Sequence, residues 1–412
     1  MELEGILERI GNSQDDIIEM MSGMIAIPAI SPETGGDGES ARADYLIDFL
    51  EGFDSVERID VPDGTNPSIM RSNLLARKNG KRKGTVWVVA HTDTVPVGDI
   101  SKWDTDPFEA VVKDGSIYGR GTEDNGQSVL SSYIAVRDIV KEPLEGMSIG
   151  IAWVADEEVA SEYGTAELIR RGYFSEDDVF LVPDWGTPAG KYVDVSEKGL
   201  IWLDFEITGS SAHASTPGKA VNALKVGALF MNDLLDVFSE RFRGQDDLFD
   251  PPNSSFEPTR ANPTVSNVNT IPGRWSFSVD CRVLPCYKLD DVFETAKLLA
   301  ERYTKETGAH ISVREMQRHE AGRVSSTDSP LYRTLVESVK EVSGVTPMPI
   351  GVGGATCANF FRLMGCDAYV WETGGGTLHQ ANEHVVIDEI INDAKVFATI
   401  LWKLCRNAGP SS

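Results

Sequence analysis

The sequence predicts an α/β fold in which a doubly wound, mostly parallel-sheet domain is interrupted by an inserted α+β domain. Three observations carry this expectation. The continuous apolar runs TVWVVA, MSIGIAWVA and VFLVPD alternate with helical segments, as strands covered on both faces do. Near Glu197 the pattern changes to LIWLDFEITG and RWSFSVDCRVLP, where apolar and polar residues alternate as in half-solvated antiparallel strands. From Pro330 the first pattern resumes in LYRTLVESVKEVSG, AYVWE and DEIINDAKVFATILWKL. A chain of 412 residues also exceeds what one core usually organises. The expected boundaries are 1–196 for the first part of the outer domain, 197–316 for the insertion and 317–412 for the return.

Taken in order, Leu3 to Met24 reads as one helix, with Leu3, Ile6, Ile10, Ile17 and Ile18 near helical spacing. The turn-rich IPAISPETGGDGES follows, then the helix ARADYLIDFLEGF and strands near SNLLARK and TVWVVA. Beyond the glycine-punctuated GRGTEDNGQ come helix SVLSSYIAVRDIV, strand MSIGIAWVA, helix TAELIRRGY and strand VFLVPD. In the insertion, helix VNALKVGALFMNDLLDVF and helix LDDVFETAKLLAERYTKE flank the alternating strands, and HISVREM closes it as a short strand. Two β-α-β-like halves of this kind fit a small α+β domain.

Composition excludes several classes. Hydrophobic residues make up 41% and charged residues 25%, ordinary for a globular protein. The net charge of -26 is the wrong sign for nucleic acid and for an anionic membrane surface. The acids are scattered, which favours solubility over a binding tail. No apolar run reaches membrane-span length, and the acidic N-terminus lacks the basic and apolar regions of a signal peptide. Five cysteines without a C-x-x-C pair indicate neither a disulfide framework nor a zinc knuckle. A cytoplasmic protein is expected.

Four apolar strands stop at potential metal ligands. TVWVVAHTD ends at His91 and Asp93, MSIGIAWVADEE at Asp156, Glu157 and Glu158, and VFLVPDWG at Asp184; AYVWETGGGTLHQANE reaches His379. Asp124 sits in GRGTEDNGQ. Sites in open α/β sheets gather at carboxyl ends of strands, and a His-and-carboxylate set suits zinc or a similar divalent ion. One carboxylate can bridge two ions, and such a pair lowers the pKa of a shared water from about 15.7 towards roughly 7. Asp93, two residues beyond His91 on an extended chain, can accept the other ring N–H of His91. Glu157, adjacent to Glu158, points elsewhere and is the natural general base. Each motif alone is weak, since H-x-D and D-E-E occur in many solvated turns; the joint pattern is what singles out a site.

The segments HTDTVP, WDTDPF, DGSIYGRGTEDNG, ADEE, SAHASTPGKAVNA, NTIPG, DCRVLP, GGATCANFF and HQANE resemble the co-catalytic zinc hydrolases that include aminoacylase, acetylornithine deacetylase, succinyl-diaminopimelate desuccinylase and glutamate carboxypeptidase. The resemblance runs from about Ser31 to the C-terminus. It implies two Zn2+ per subunit, with Co2+ or Mn2+ as possible replacements. His91 and Asp184 would hold one ion, Glu158 and His379 the other, and Asp124 would bridge them above a cis peptide at Asp124–Asn125. Asp93 would stand behind the ligands and Glu157 would be the base. The insertion becomes a lid and dimerisation domain, from which His213 would reach a neighbouring subunit and stabilise the tetrahedral oxyanion. Asn269, Arg282, Gly353 and Gly354 would contact substrate, Arg282 by a forked hold on a carboxylate. The implied activity is cleavage of an amide next to an amino acid, on an N-acyl amino acid or a small peptide, by a homodimer.

Competing readings stay open. The alternative for His213 is a surface or loop histidine, against which the whole AHASTPG–NA context favours the active-site role; an arginine on a strand, as at Arg282, is more often a structural ion pair; and the alternative for Gly353 and Gly354 is a plain turn. Many relatives carry Asp and Arg where this chain has Cys357 and Asn359, which weakens any inherited carboxylate selectivity. In the family it resembles, Asp at position 184 looks more typical of amino- and dipeptidases, and Glu of deacylases and carboxypeptidases. Cys357 reads as a packed thiol, and packing also accounts better than pairing for Cys281 and Cys286.

Overall fold

The structure is a computed structural model that describes residues 2–262 and 265–406. The chain divides into two compact units, one made of 1–195, 324–349 and 356–412, the other of 196–323 and 350–355.

Mainly in the first unit, an eight-stranded sheet has the spatial order Ser55–Pro62, Met70–Lys78, Ser148–Val154, Thr85–His91, Val179–Val182, Ala368–Val370, Tyr192–Glu197, Met348–Val352. The middle four strands run parallel. The apolar runs are buried along their whole length in Thr85–His91 and Ser148–Val154, because helices pack on both faces. Gln127–Val136 and Ile387–Leu401 are helices with nearly continuous buried residues. On the other face Phe361 stacks on Phe180 with centroids 3.7 Å apart, and Phe174 meets both rings edge-on.

In the second unit a four-stranded antiparallel sheet, ordered Ser255–Ala261, Arg274–Val283, Gly199–Thr208, His310–His319, backs onto the helices Ala223–Arg241 and Leu289–Thr307. Alternation is the reason: Ile201, Leu203, Phe205 and Ile207 are all buried on one face, with Phe277 and Val279 beside them. A separate two-stranded ladder pairs Ala212–His213 with Thr270–Ile271.

Several boundaries differ from expectation. The N-terminal helix is two helices, Leu3–Gly11 and Gln14–Ile25. The backbone N–H groups of Asn12 and Ser13 fold back on the carbonyls of Arg9 and Ile10, and the Ser13 hydroxyl donates to the Arg9 carbonyl, which ends the first helix despite its apolar period. The boundary expected at 316 falls inside a strand that runs to His319, and the second unit extends to Arg323. It also takes 350–355, since the Gly351 N–H donates to the Leu248 carbonyl and the Lys198 N–H to the Val352 carbonyl. Strands Ser55–Pro62 and Tyr192–Glu197 were not anticipated. All five cysteines are free.

Candidate metal centre

The ends of three parallel strands build the floor of the site. His91 terminates its strand, Asp184 lies two residues beyond Val182, and Glu157 and Glu158 follow the strand ending at Val154. His379 and Asp124 arrive on loops. His91 Nε2 lies 2.9 Å from one Asp124 carboxyl oxygen and 3.2 Å from Asp184. His379 Nε2 lies 2.9 Å from the other Asp124 oxygen and 3.1 Å from Glu158. Two donor groups result, His91–Asp124–Asp184 and Asp124–Glu158–His379, each with its donor atoms within 4.8 Å. Asp124 belongs to both. The peptide Asp124–Asn125 is cis.

Electrostatics call for cations here. Burial lowers the His91 imidazole, but its contacts with Asp124, Asp184 and Asp93 outweigh this and raise it well above the usual value. Asp124 and Glu158 push His379 up to about 10. Burial, then the Asp124 charge, lifts Glu158 to about 7. Burial, then the Asp184 charge, raises Glu157 well above the ordinary carboxyl range. Four carboxyls crowd two imidazoles, and the buried Glu158 Oε1 has no hydrogen-bond partner among the described residues. A buried acceptor left unpaired costs about 1–3 kcal/mol, so a divalent ion fits this donor set.

Around the donors, local chemistry holds each one in place. The Asn125 side chain donates to the Pro183 carbonyl at 2.8 Å and to Asp184 at 3.1 Å, and accepts from the His91 N–H at 3.2 Å. Arg42 is buried and donates to the carbonyls of Ile27 and Thr92, pinning the turn after His91. Asp93 meets the His91 ring twice. His91 Nδ1 is 3.1 Å from the Asp93 carbonyl and 3.5 Å from its carboxylate. The carboxylate also accepts from the backbone N–H groups of Glu157 and Glu158, at 3.0 and 3.1 Å. At a spacing of two residues the main-chain oxygen is the nearer partner for the ring. Asp93 therefore joins the H-x-D turn to the D-E-E turn.

Asp156 takes φ 68°, sparsely populated for a non-glycine residue. Arg71 reaches it at 2.9 Å while also gripping Glu39 and Asp63. The Glu157 backbone N–H donates to Asp93, and beyond that bond the Glu157 carboxylate has no hydrogen-bond partner among the described residues.

In the second unit the exposed His213 has its Nδ1 2.7 Å from the Ser215 hydroxyl. Its strand register sets it opposite Thr270, and the Ala214 N–H donates to the Asn269 carbonyl at 2.8 Å. His213 and Asn269 are thus brought to one ladder. Arg282 forks onto Asp280, at 2.8 and 3.2 Å, and donates to the Gly353 carbonyl at 2.8 Å. Most of its donors are therefore committed within its own unit. A Cβ at Gly353 or Gly354 would meet open space, so packing does not demand glycine there. Cys357 is buried and accepts from the Thr165 hydroxyl at 3.1 Å; burial raises its thiol further, as for an inert packed residue. Asn359 is also buried.

Residues that sequence reasoning left without a role include Arg42, Arg71, Glu123, Asn125, Glu383 and Asp393. Glu123, Asn125 and Glu383 lie inside segments that drew attention for their neighbours. Their partners are remote in sequence, so spacing carries no signal for them.

A sequence model described as Peptidase family M20/M25/M40 matches residues 87–403. An uncharacterized metallohydrolase of Methanocaldococcus jannaschii is 35% identical over 408 residues, covering 94% of this chain and 99% of that protein. A succinyl-diaminopimelate desuccinylase of Sulfurimonas denitrificans is 25% identical over 405 residues, covering 94% and 99%. Among solved structures, the di-peptidase Dug1p of Saccharomyces cerevisiae has the same fold, with a TM-score of 0.74, 18% identity and coverage of 97% and 98%. Among the described residues no helix is long and apolar enough to cross a membrane.

Proposed function

The chain belongs to peptidase family M20/M25/M40 and is a metallohydrolase; on that premise we propose that it cleaves an amide bond adjacent to an amino acid, using two zinc ions and Glu157 as general base. One observation carries the proposal: two donor groups share Asp124 through its two oxygens, while beside them the Glu157 carboxylate has no hydrogen-bond partner among the described residues. His91 and Asp184 would hold one ion, Glu158 and His379 the other. Bound there, the ions would supply Lewis-acid polarisation of the scissile carbonyl and a lowered pKa for the attacking water.

The chain's own groups do the rest. Glu157 takes the proton of the attacking water on a carboxylate oxygen and delivers it to the leaving amine nitrogen. Asp93 fixes the backbone of Glu157 and Glu158. His213, Asn269, Arg282, Gly353 and Gly354 serve substrate, His213 by donating to the tetrahedral oxyanion of a neighbouring subunit in a homodimer. The commitment of Arg282 to Asp280 favours a role in holding the Gly353 carbonyl over a direct grip on a carboxylate.

Two substrate classes suit this chemistry, N-acyl amino acids and small peptides. The first accords with the desuccinylase relative, the second with the fold of the di-peptidase. The test is a panel of N-acetyl and N-succinyl amino acids against dipeptides, each with zinc, cobalt and manganese. Hydrolysis of one class at two equivalents of metal is expected. No turnover of any member, with less than one equivalent of metal in protein purified without chelators, would instead indicate a binding scaffold.

A further inference from the structure

The two loops that carry Asp124 and His379 exchange carboxylates that are not themselves metal donors. From the His379 loop, Glu383 reaches back. One of its oxygens accepts from the backbone N–H groups of Glu123 and Asp124, each at 3.0 Å. The other accepts from the Gly121 N–H at 3.1 Å and from Arg120 Nη1 at 2.5 Å. In return, Glu123 accepts from the Gly376 N–H at 2.7 Å, from the Thr377 N–H at 2.6 Å and from the Thr377 hydroxyl. The guanidinium of Arg120 lies 5.2 Å over the Trp103 ring, and the Arg120 N–H donates to the Pro107 carbonyl, which gives the WDTDPF segment a place in the same lacing.

This exchange has a geometric purpose. His379 and Asn382 take φ 62° and 60°, conformations that non-glycine residues keep only where surroundings hold them. The loop between Val370 and His384 has no strand ladder of its own. Its position relative to Asp124 is set by Glu123 at one side of His379 and by Glu383 at the other. A carboxylate is needed at both points. Glu383 meets four donors on two oxygens, and glutamine would turn an N–H2 group toward two of them.

We propose that Glu123 and Glu383 are positioning residues that set the separation of Asp124 from His379, and through it the metal affinity of the half-site to which His379 belongs. This rests on the two-ion assignment above. Residues behind metal ligands typically change affinity by about 10–100-fold when altered.

The test is titration of the metal-free full chain with cobalt(II) alone, followed by calorimetry, for the natural protein, Glu123→Gln, Glu383→Gln and His379→Ala. The natural protein is expected to take two ions in two steps. His379→Ala identifies the step that belongs to its half-site. Glu123→Gln should weaken that step at least about tenfold and leave the other unchanged, because all its partners lie at Gly376 and Thr377. Glu383→Gln should weaken both, because the Asp124 N–H is among its donors. Equal weakening of both steps in Glu123→Gln, or steps identical to the natural protein, overturns the proposal while the two-ion reading stands. Fewer than two ions in the natural protein overturns both. If Glu123→Gln does not fold, Thr377→Val, which removes the hydroxyl shared between Glu123 and the His384 main chain, must weaken the same step alone; unchanged binding overturns the proposal.

Discussion

The two halves of the candidate metal centre are built by different means. His91 and Asp184 stand at the ends of neighbouring parallel strands, where main-chain hydrogen bonds of the sheet place them, and the His91 side chain is only 1% exposed. Glu158 and His379 come from a turn and a long loop, and the His379 side chain is 55% exposed. The first half inherits its geometry from the sheet. The second is assembled from side-chain carboxylates: Asp93 under Glu158, and Glu123, Glu383 and Asp393 along the His379 loop. A half-site made this way is adjustable, and it also depends on the protonation of the acids that hold it.

The strongest way to break the contrast is Asp124→Ala, since both halves use that residue. Metal analysis after dialysis should find neither ion, with hydrolysis at background. A variant that keeps one ion would mean the halves are independent. Next, Glu157→Ala should lower turnover by about 10²–10⁴ while both ions stay bound; near-normal turnover would remove Glu157 from the base role.

The dependence on acids can be sharpened by pH. Asp393 accepts from the Thr373 N–H and hydroxyl and from the Gln127 amide, and burial pushes its carboxyl up to about 8. A raised folded-state pKa means the folded chain binds the proton more tightly. The stabilisation is therefore complete below the unfolded value near 3.8 and is lost as pH rises towards 8. At about 1.4 kcal/mol per pH unit, the metal-free protein should lose at most roughly 4 kcal/mol between pH 5 and 8 relative to Asp393→Asn. Parallel denaturation curves for the two proteins across that range would count against it. The smallest effect separates the histidines in metal-free protein. His91→Ala strands buried carboxyl oxygens and should cost about 1–3 kcal/mol. His379→Ala should stay within about 0.5 kcal/mol. Equal losses in chemical denaturation would erase the distinction between the halves.

How much of this was legible depends on the range of the interaction. TVWVVAH and MSIGIAWV announce central strands because nothing polar interrupts them, and the donors at their ends follow from that placement. Ser55–Pro62 escaped notice because it is an outer strand with its first three residues exposed, so it has no continuous apolar signal. The break at Asn12 and Ser13 is polar capping inside an apolar period. Glu123, Glu383 and Arg71 gain meaning only from partners brought close by folding, such as the 260 positions between Glu123 and Glu383. For Asp93, spacing brings both its carbonyl and its carboxylate to the His91 ring, but carries no signal for the bonds its carboxylate accepts from Glu157 and Glu158.

The division of Asp124 between two imidazoles has a thermodynamic corollary. On the two-ion reading, an ion that seizes one oxygen orients the other for its neighbour, so the two occupancies are cooperative. Linkage makes that cooperation reciprocal: whatever factor the first ion lends the second, the second returns. A chelator added in limiting amount would then empty the weaker half-site first and loosen the ion that stays. Exchanging the metal in one position would retune its neighbour's affinity without altering any of that neighbour's private ligands.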